Sequence, residues 1–330
     1  MTRPVTPVSA LRPVSDHHLH MFRKARGNPE TGEPANIFAM IAALKAVSTD
    51  EYIPVEELYE SVRALSAKAV LPSGRKPKGF IFGSGTVSPN FREKHAHSGP
   101  LVGYGRYTKM LVKGGHDLAV ITDTEQARLV QHEAFLMVFQ KALRVANPGR
   151  DPEKLLNESL MGKIGTDGRR SPGLWDEVSA NYAINASGMI ITVTPNALAD
   201  RIFVQSELPE LLTNPQITCM NGKPIEDFRD YFYDLVQKGM SNEEACKKLN
   251  HDEIKISSIV YLTGYAGNHF LTDMSPALRF DFTGAHSPDF LNRFRDCVPP
   301  FSAHEKDLEY TPVPEHEYDG NEAHVLVEHS

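Results

Sequence analysis

Cysteine is scarce in this sequence: three residues in 330, Cys219, Cys246 and Cys297, with no Cys-x-x-Cys pair. That spacing excludes a disulfide framework and a cysteine-built zinc site, and it points to a reducing compartment. No apolar run reaches the roughly 18 residues a membrane-crossing helix needs, so no membrane partner is expected. Met1–Pro13 lacks a basic stretch followed by an apolar core, so no secretory leader is expected. An intracellular protein, nuclear or cytoplasmic, is the expectation. No internal repeat is present, which argues against a solenoid.

Acidic residues are nearly missing from one long stretch. Between Ser61 and Gly115 there are ten basic residues and one acid, Glu93, although the whole chain carries a formal charge of −7. From His304 to Ser330 the balance reverses, with eight acids and Lys306 alone. A basic block inside an acidic chain is the electrostatic footprint expected of a polyanion site, and equally of a solvated face.

Five prolines and few periodic apolar positions make residues 1–34 an expected poorly ordered arm. Within it, Asp16-His17-His18-Leu19-His20 reads as a surface histidine cluster, because no apolar strand precedes it and no βα alternation follows. Apolar spacing predicts helices over Ala35–Val47 and Val55–Val70. Strands are expected at Gly79–Gly83 and Asp117–Ile121, then a capping box at Thr122–Glu125 opening one long helix to about Val145. Further on come a strand, Met189–Val193, the helix Ile225–Lys238, and a second capping box at Ser241–Glu244 opening a helix to Leu249. His251–Tyr261 reads as β-rich. The expected organisation is an arm (1–34), an α/β domain with leading helices (35–150), an α+β extension with a helical hairpin (151–298) and an acidic disordered tail (299–330). The fold class is α+β.

The chemistry concentrates between Lys76 and Asn147. A strand ending in Gly83-Ser84-Gly85-Thr86 lets backbone approach a ligand closely, since glycine has no Cβ. Arg92, His95 and His97 follow, and Glu133 lies on the later helix. Phosphodiester hydrolysis uses these types: a guanidinium for phosphate charge, a carboxylate for a divalent metal, an imidazole for the proton of the attacking water. Glu133 also shares a helical stripe with Gln126, Gln140 and Arg144, the pattern of a plain solvent face.

The stretch from Lys76 to Thr86, Asn90-Phe91-Arg92 with His95 and His97, Gly103 to Tyr107, and Gln131-His132-Glu133-Ala134-Phe135 together resemble the divergent, fungal-type GIY-YIG nucleases. The resemblance covers residues ~50–150. It implies a small GIY-YIG-like α/β domain and metal-dependent cleavage of nucleic acid, DNA before RNA, or a binding relic that no longer cleaves. Catalytic positions would be Arg92, His95, His97 and Glu133, with Glu133 holding Mg²⁺ or Mn²⁺. His95 or His97 would accept the proton, because Ile81 stands where the family carries a tyrosine. Lys76, Lys78, Tyr104, Arg106 and Lys109 would contact nucleic acid, and Gly83, Gly85 and Asn147 would be structural.

Two other readings stay open. Ser187, then Gln205-Ser206-Glu207, resembles the serine and Gln-x-Glu elements of ADP-ribosyltransferases and NAD glycohydrolases, whose glutamate supports an oxocarbenium ion. Leu235–Leu249 reads as the first two helices of a helix-turn-helix interaction module, or as a plain helical hairpin.

Overall fold

The structure is a computed structural model that describes residues 7–28, 30–71, 74–83, 117–165, 170–193 and 202–255. The described residues are a mixture of helices and a mixed sheet, the α+β class. Arg92, His95, His97, Tyr104, Arg106, Lys109 and Gly85 lie outside them, as do the expected acidic tail and residues 256–261 of the expected β-rich segment. The chain divides into two compact units: one up to Lys68 and from Thr122 to Val178, the other from Ala69 to Ile121 and from Ser179 onward. These units are discontinuous in sequence and cut across the boundary at residue 150.

The first unit is helical. Helix α1 (Asp16–Arg26) corrects the expectation of a poorly ordered arm. Ser15 accepts a hydrogen bond from the His18 amide, Asp16 sits in the first turn, and three basic residues complement the last turn. Phe22 and Ala25 are buried, and the His18 ring nitrogen lies 2.9 Å from the Ala43 carbonyl oxygen. The histidine cluster is therefore helical: His17 and His20 are exposed and His18 is tied to a neighbouring helix. Helices α2 (Ile37–Lys45) and α3 (Val55–Ala64) start where apolar spacing put them, with Met40, Leu44, Leu58 and Val62 inside, but α3 ends at an extended Leu65, short of the expected Val70.

The expected single helix after Thr122 is two. Helix α4 (Glu125–Gln131) is capped by Thr124, whose hydroxyl accepts from the Ala127 amide, so the cap lies two residues later than the expected box. Helix α5 (Glu133–Ala146) follows after His132, which is extended (φ −71°, ψ 130°) and ends one helix while opening the next. Phe135, Val138, Phe139, Ala142 and Leu143 form the buried stripe of α5, and Phe139 meets the Tyr59 ring edge-on at 5.4 Å. Helix α6 (Pro152–Met161) and a two-residue hairpin, Lys163–Ile164 with Arg170–Ser171, lead into α7 (Leu174–Ile184).

His132 makes the break sensitive to acid. Its Nδ1 accepts the Ala134 amide at 3.1 Å, which requires an unprotonated ring nitrogen. Burial, reinforced by the Lys45 ammonium and opposed by Glu133, pushes its pKa below the ordinary 6.5. The unfolded chain therefore binds a proton that the folded chain resists, so this stability is intact above the ordinary value and is lost as pH falls through the depressed one. Denaturant midpoints measured from about pH 8 to about pH 5 should fall more steeply for the wild type than for His132→Asn, whose amide oxygen caps without titrating.

Among the described residues, the second unit is built on a five-stranded sheet: β1 (Gly79–Gly83), β2 (Leu118–Ala119), β3 (Gly188–Val193), β4 (Ile217–Met220) and β5 (Lys223–Pro224), in spatial order 2-1-3-4-5. The expected neighbours β1 and β2 do pair, in parallel; β3 and β4 continue the parallel sheet, and β5 returns antiparallel. The strands read as apolar runs (Phe80, Ile81 and Phe82 are at most 3% exposed), the pattern of strands buried on both faces. A π-helical turn (Phe203–Glu207) and α8 (Leu208–Thr213) follow β3, and α9 (Ile225–Gln237) and α10 (Asn242–Leu249) follow β5.

The α9–α10 connection is closed by Gly239 at φ 93°: its amide bonds the Val236 carbonyl and the Met240 amide bonds Leu235, a left-handed helix stop. Ser241 and Glu244 then form the expected capping box. After Leu249 the chain continues as a π-helical turn, Asn250–Ile254, so the expected β character is corrected over 251–255. Ile254 explains this, because it is fully buried in the same core as Leu249 and Cys246.

Candidate ligand site at the carboxyl end of the sheet

The pairing registers leave two strands projecting. β2 accompanies β1 only at Gly79 and Phe80, and β4 accompanies β3 only as far as Ile190. β1 and β3 stay paired through Gly83 and Val193. Ile81–Gly83 and Ile191–Val193 therefore form a two-stranded lip, about 10 Å long at ~3.3 Å per residue, above the ends of both flanking strands.

Polar side chains hold the base of this lip. Tyr182, buried to 1%, donates its phenol to the Ala119 carbonyl at 2.9 Å, with the Ile81 carbonyl at 3.3 Å, at the point where β1 and β2 part. Its ring packs tilted against those of Phe82 and Phe80, with centroids 4.7 and 5.8 Å away. On the other flank the Asn221 side chain takes the place of a continuing β4. Its Oδ1 accepts the Thr192 amide at 2.9 Å and its Nδ2 donates to the Thr192 hydroxyl at 2.7 Å. At the amino end, a Cβ on Gly79 would lie 2.9 Å from the Leu118 side chain and 3.0 Å from the Met189 carbonyl oxygen, so the three strands close tightly there.

The positions expected from sequence fall as follows. Gly83 is the last residue of β1, half-buried on the lip. Lys76 and Lys78 are exposed at the opposite, amino end of the same strand, where Arg75 and Lys78 approach Asp117 at 2.6 and 3.8 Å. Glu133 is the exposed first residue of α5 in the other unit, placed where a carboxylate complements a helix amino terminus. Asn147 caps the end of α5, with its amide and its Nδ2 both on the Leu143 carbonyl.

A Mg²⁺ or Mn²⁺ ion needs several hard oxygen donors. Among the described residues no group of three or more His, Cys, Asp or Glu side chains is placed to hold a metal. Arg63 of the basic block pairs with Glu177 within the first unit, whereas Arg75, Lys76 and Lys78 belong to the second. Ser187 lies just before β3 in sequence, and Gln205 and Glu207 lie in the π-helical turn that comes after it. Glu207 is buried, at 5% exposure.

Sequence reasoning missed Tyr182, Thr192 and Asn221. The Asn221-Gly222 dipeptide was a usable signal, because both residues adopt positive φ (49° and 79°) in the tight β4–β5 turn. Comparison with protein-family models, with curated proteins and with solved structures finds no match for the chain.

Proposed function

We propose that the second unit binds a phosphate-bearing mononucleotide outside the carboxyl ends of β1 and β3, the neighbouring strands that form the lip. One observation carries this reading. β1 lies between the strand that follows it in sequence, β2, and the later β3, and all three are parallel. The chain order thus reverses between β1 and β3, and in open parallel sheets ligands lodge outside the carboxyl ends of the two strands at that reversal. The sequence leaving β1, Gly83-Ser84-Gly85-Thr86, supplies residues suited to close backbone approach to an anion.

A single nucleotide suits the topology better than a dinucleotide, which uses two strand-helix halves on either side of the reversal. Here β2 is the edge strand among the described residues, and the β4 flank of the lip carries the Asn221–Thr192 contact. The nuclease reading shares the phosphate chemistry. It gains no support from Lys76 and Lys78 at the amino end of β1, or from Glu133 in the other unit.

Melting curves with nucleoside monophosphates, NAD and inorganic phosphate test the proposal, because a ligand bound only by the folded state raises the midpoint. Gly83→Asp places a Cβ and a negative charge at the rim, and should weaken nucleotide binding by about tenfold or more with circular dichroism unchanged. No stabilisation by any nucleotide at millimolar concentration would defeat the reading.

A further inference from the structure

We infer that Asn221 is a positioning residue for this site: acting through Thr192, it fixes the terminal residue of β3 at the rim where β1 and β3 project. The inference rests on the nucleotide reading and goes beyond it by naming what sets the rim. Asn221 is 2% exposed and Thr192 fully buried, so their bonds form away from competing water. Asn221 is also the non-glycine residue with positive φ among the described residues. The turn alone would accept glycine there. What glycine cannot supply is the pair of side-chain bonds to the Thr192 amide and hydroxyl, made while the Asn221 amide itself holds the Ile190 carbonyl at 2.9 Å.

The consequence is geometric. Beyond Ile190, β4 no longer accompanies β3, which pairs with β1 on one edge while the Asn221 side chain bonds Thr192 on the other. Gly83 and Val193 are partners at the tip. Loosening β3 therefore loosens the strand against which Gly83 is placed, without touching any group that meets the ligand.

The test compares variants on binding of adenosine and guanosine monophosphates, measured calorimetrically. Asn221→Gly keeps the turn and removes both side-chain bonds, and Thr192→Val removes the hydroxyl at nearly constant volume. Both should lose about tenfold in affinity, whereas Thr192→Ser, which keeps the hydroxyl, should stay within about twofold. Asn214→Ala at the amino end of β4 is the stability control: it should lower the melting temperature yet leave affinity within about twofold. Equal losses for Asn214→Ala and Asn221→Gly, or unchanged affinity in Asn221→Gly, would overturn the positioning role. Amide exchange at Thr192 and Val193, measured without ligand, separates this failure from that of the nucleotide reading. Faster exchange in Asn221→Gly supports positioning even if no nucleotide binds, and unchanged exchange defeats it.

Discussion

Arg170→Met lowers the unfolding free energy by about 3–5 kcal/mol, because it strands a buried carboxylate. The Arg170 guanidinium and the Asp176 carboxylate are paired with side chains only 7% and 5% exposed. Arg170 also donates to the Met161 carbonyl, and the second Asp176 oxygen accepts the Gly173 amide at 2.7 Å. The chain is closed tightly around the pair: a Cβ on Gly162 would overlap the Ser171 carbonyl oxygen, and one on Gly173 would overlap the Gly162 amide. Water therefore has little room to solvate an abandoned Asp176. The control is the double variant Arg170→Met with Asp176→Leu, which removes both charges and should recover much of the loss. Equilibrium denaturation of the three proteins measures this. A single variant within about 1 kcal/mol of wild type would mean that the pair is hydrated.

Asn214→Leu should cost about 2–4 kcal/mol, because the Ile184 and Ala186 carbonyls lose their side-chain donor, while that of Ala183 keeps the Ala186 amide. Its Nδ2 lies 2.9 Å from the carbonyl oxygens of Ala183 and Ala186 and 3.1 Å from that of Ile184, at the end of α7 where helical donors run out. Its Oδ1 accepts the Gln216 amide at 2.9 Å, so one side chain ties the helix end to the chain entering β4. Arg229 reinforces the corner by donating to the Asn214 and Leu212 carbonyls. Asn214→Asp, although nearly isosteric, should be no better than leucine, because it sets a carboxylate against three carbonyl oxygens. A melting temperature for Asn214→Asp equal to that of wild type would contradict the assignment of Nδ2 as the essential donor.

Strong local signals marked much of the fold. Apolar spacing located α2, α3 and α9, and the Phe80–Phe82 run located β1. The Ser241 box and Gly239 marked the two sides of one turn. Helix α1 escaped notice because it buries only Phe22 and Ala25, too few positions for periodicity to register. Its caps, Ser15 at one end and Gly27 at φ 73° at the other, carried the information instead. The break at His132 was hidden by the continuous apolar pattern from Leu129 to Leu143, which a straight helix fits equally well.

The site was less accessible to sequence reasoning, since it depends on which strands pair. Gly79–Gly83 was recognised as a strand leading into a glycine-rich segment, but its place between β2 and β3 comes from contacts distant in sequence. Lys76 and Lys78 lie within seven residues of Gly83 in the chain. A five-residue strand puts them at opposite ends of the sheet. Thr192 gave no motif, because its role depends on Asn221, 29 residues away.

Hydrogen exchange with saturating adenosine monophosphate tests the central claim most directly. The account predicts slowed amide exchange at Phe82–Gly83, Val120–Ile121 and Thr192–Val193, abolished by Gly83→Asp, with the amino end of β1 unchanged. Protection centred on Lys76–Lys78 or on the first turn of α5 at Glu133, with the lip unaffected, would contradict it.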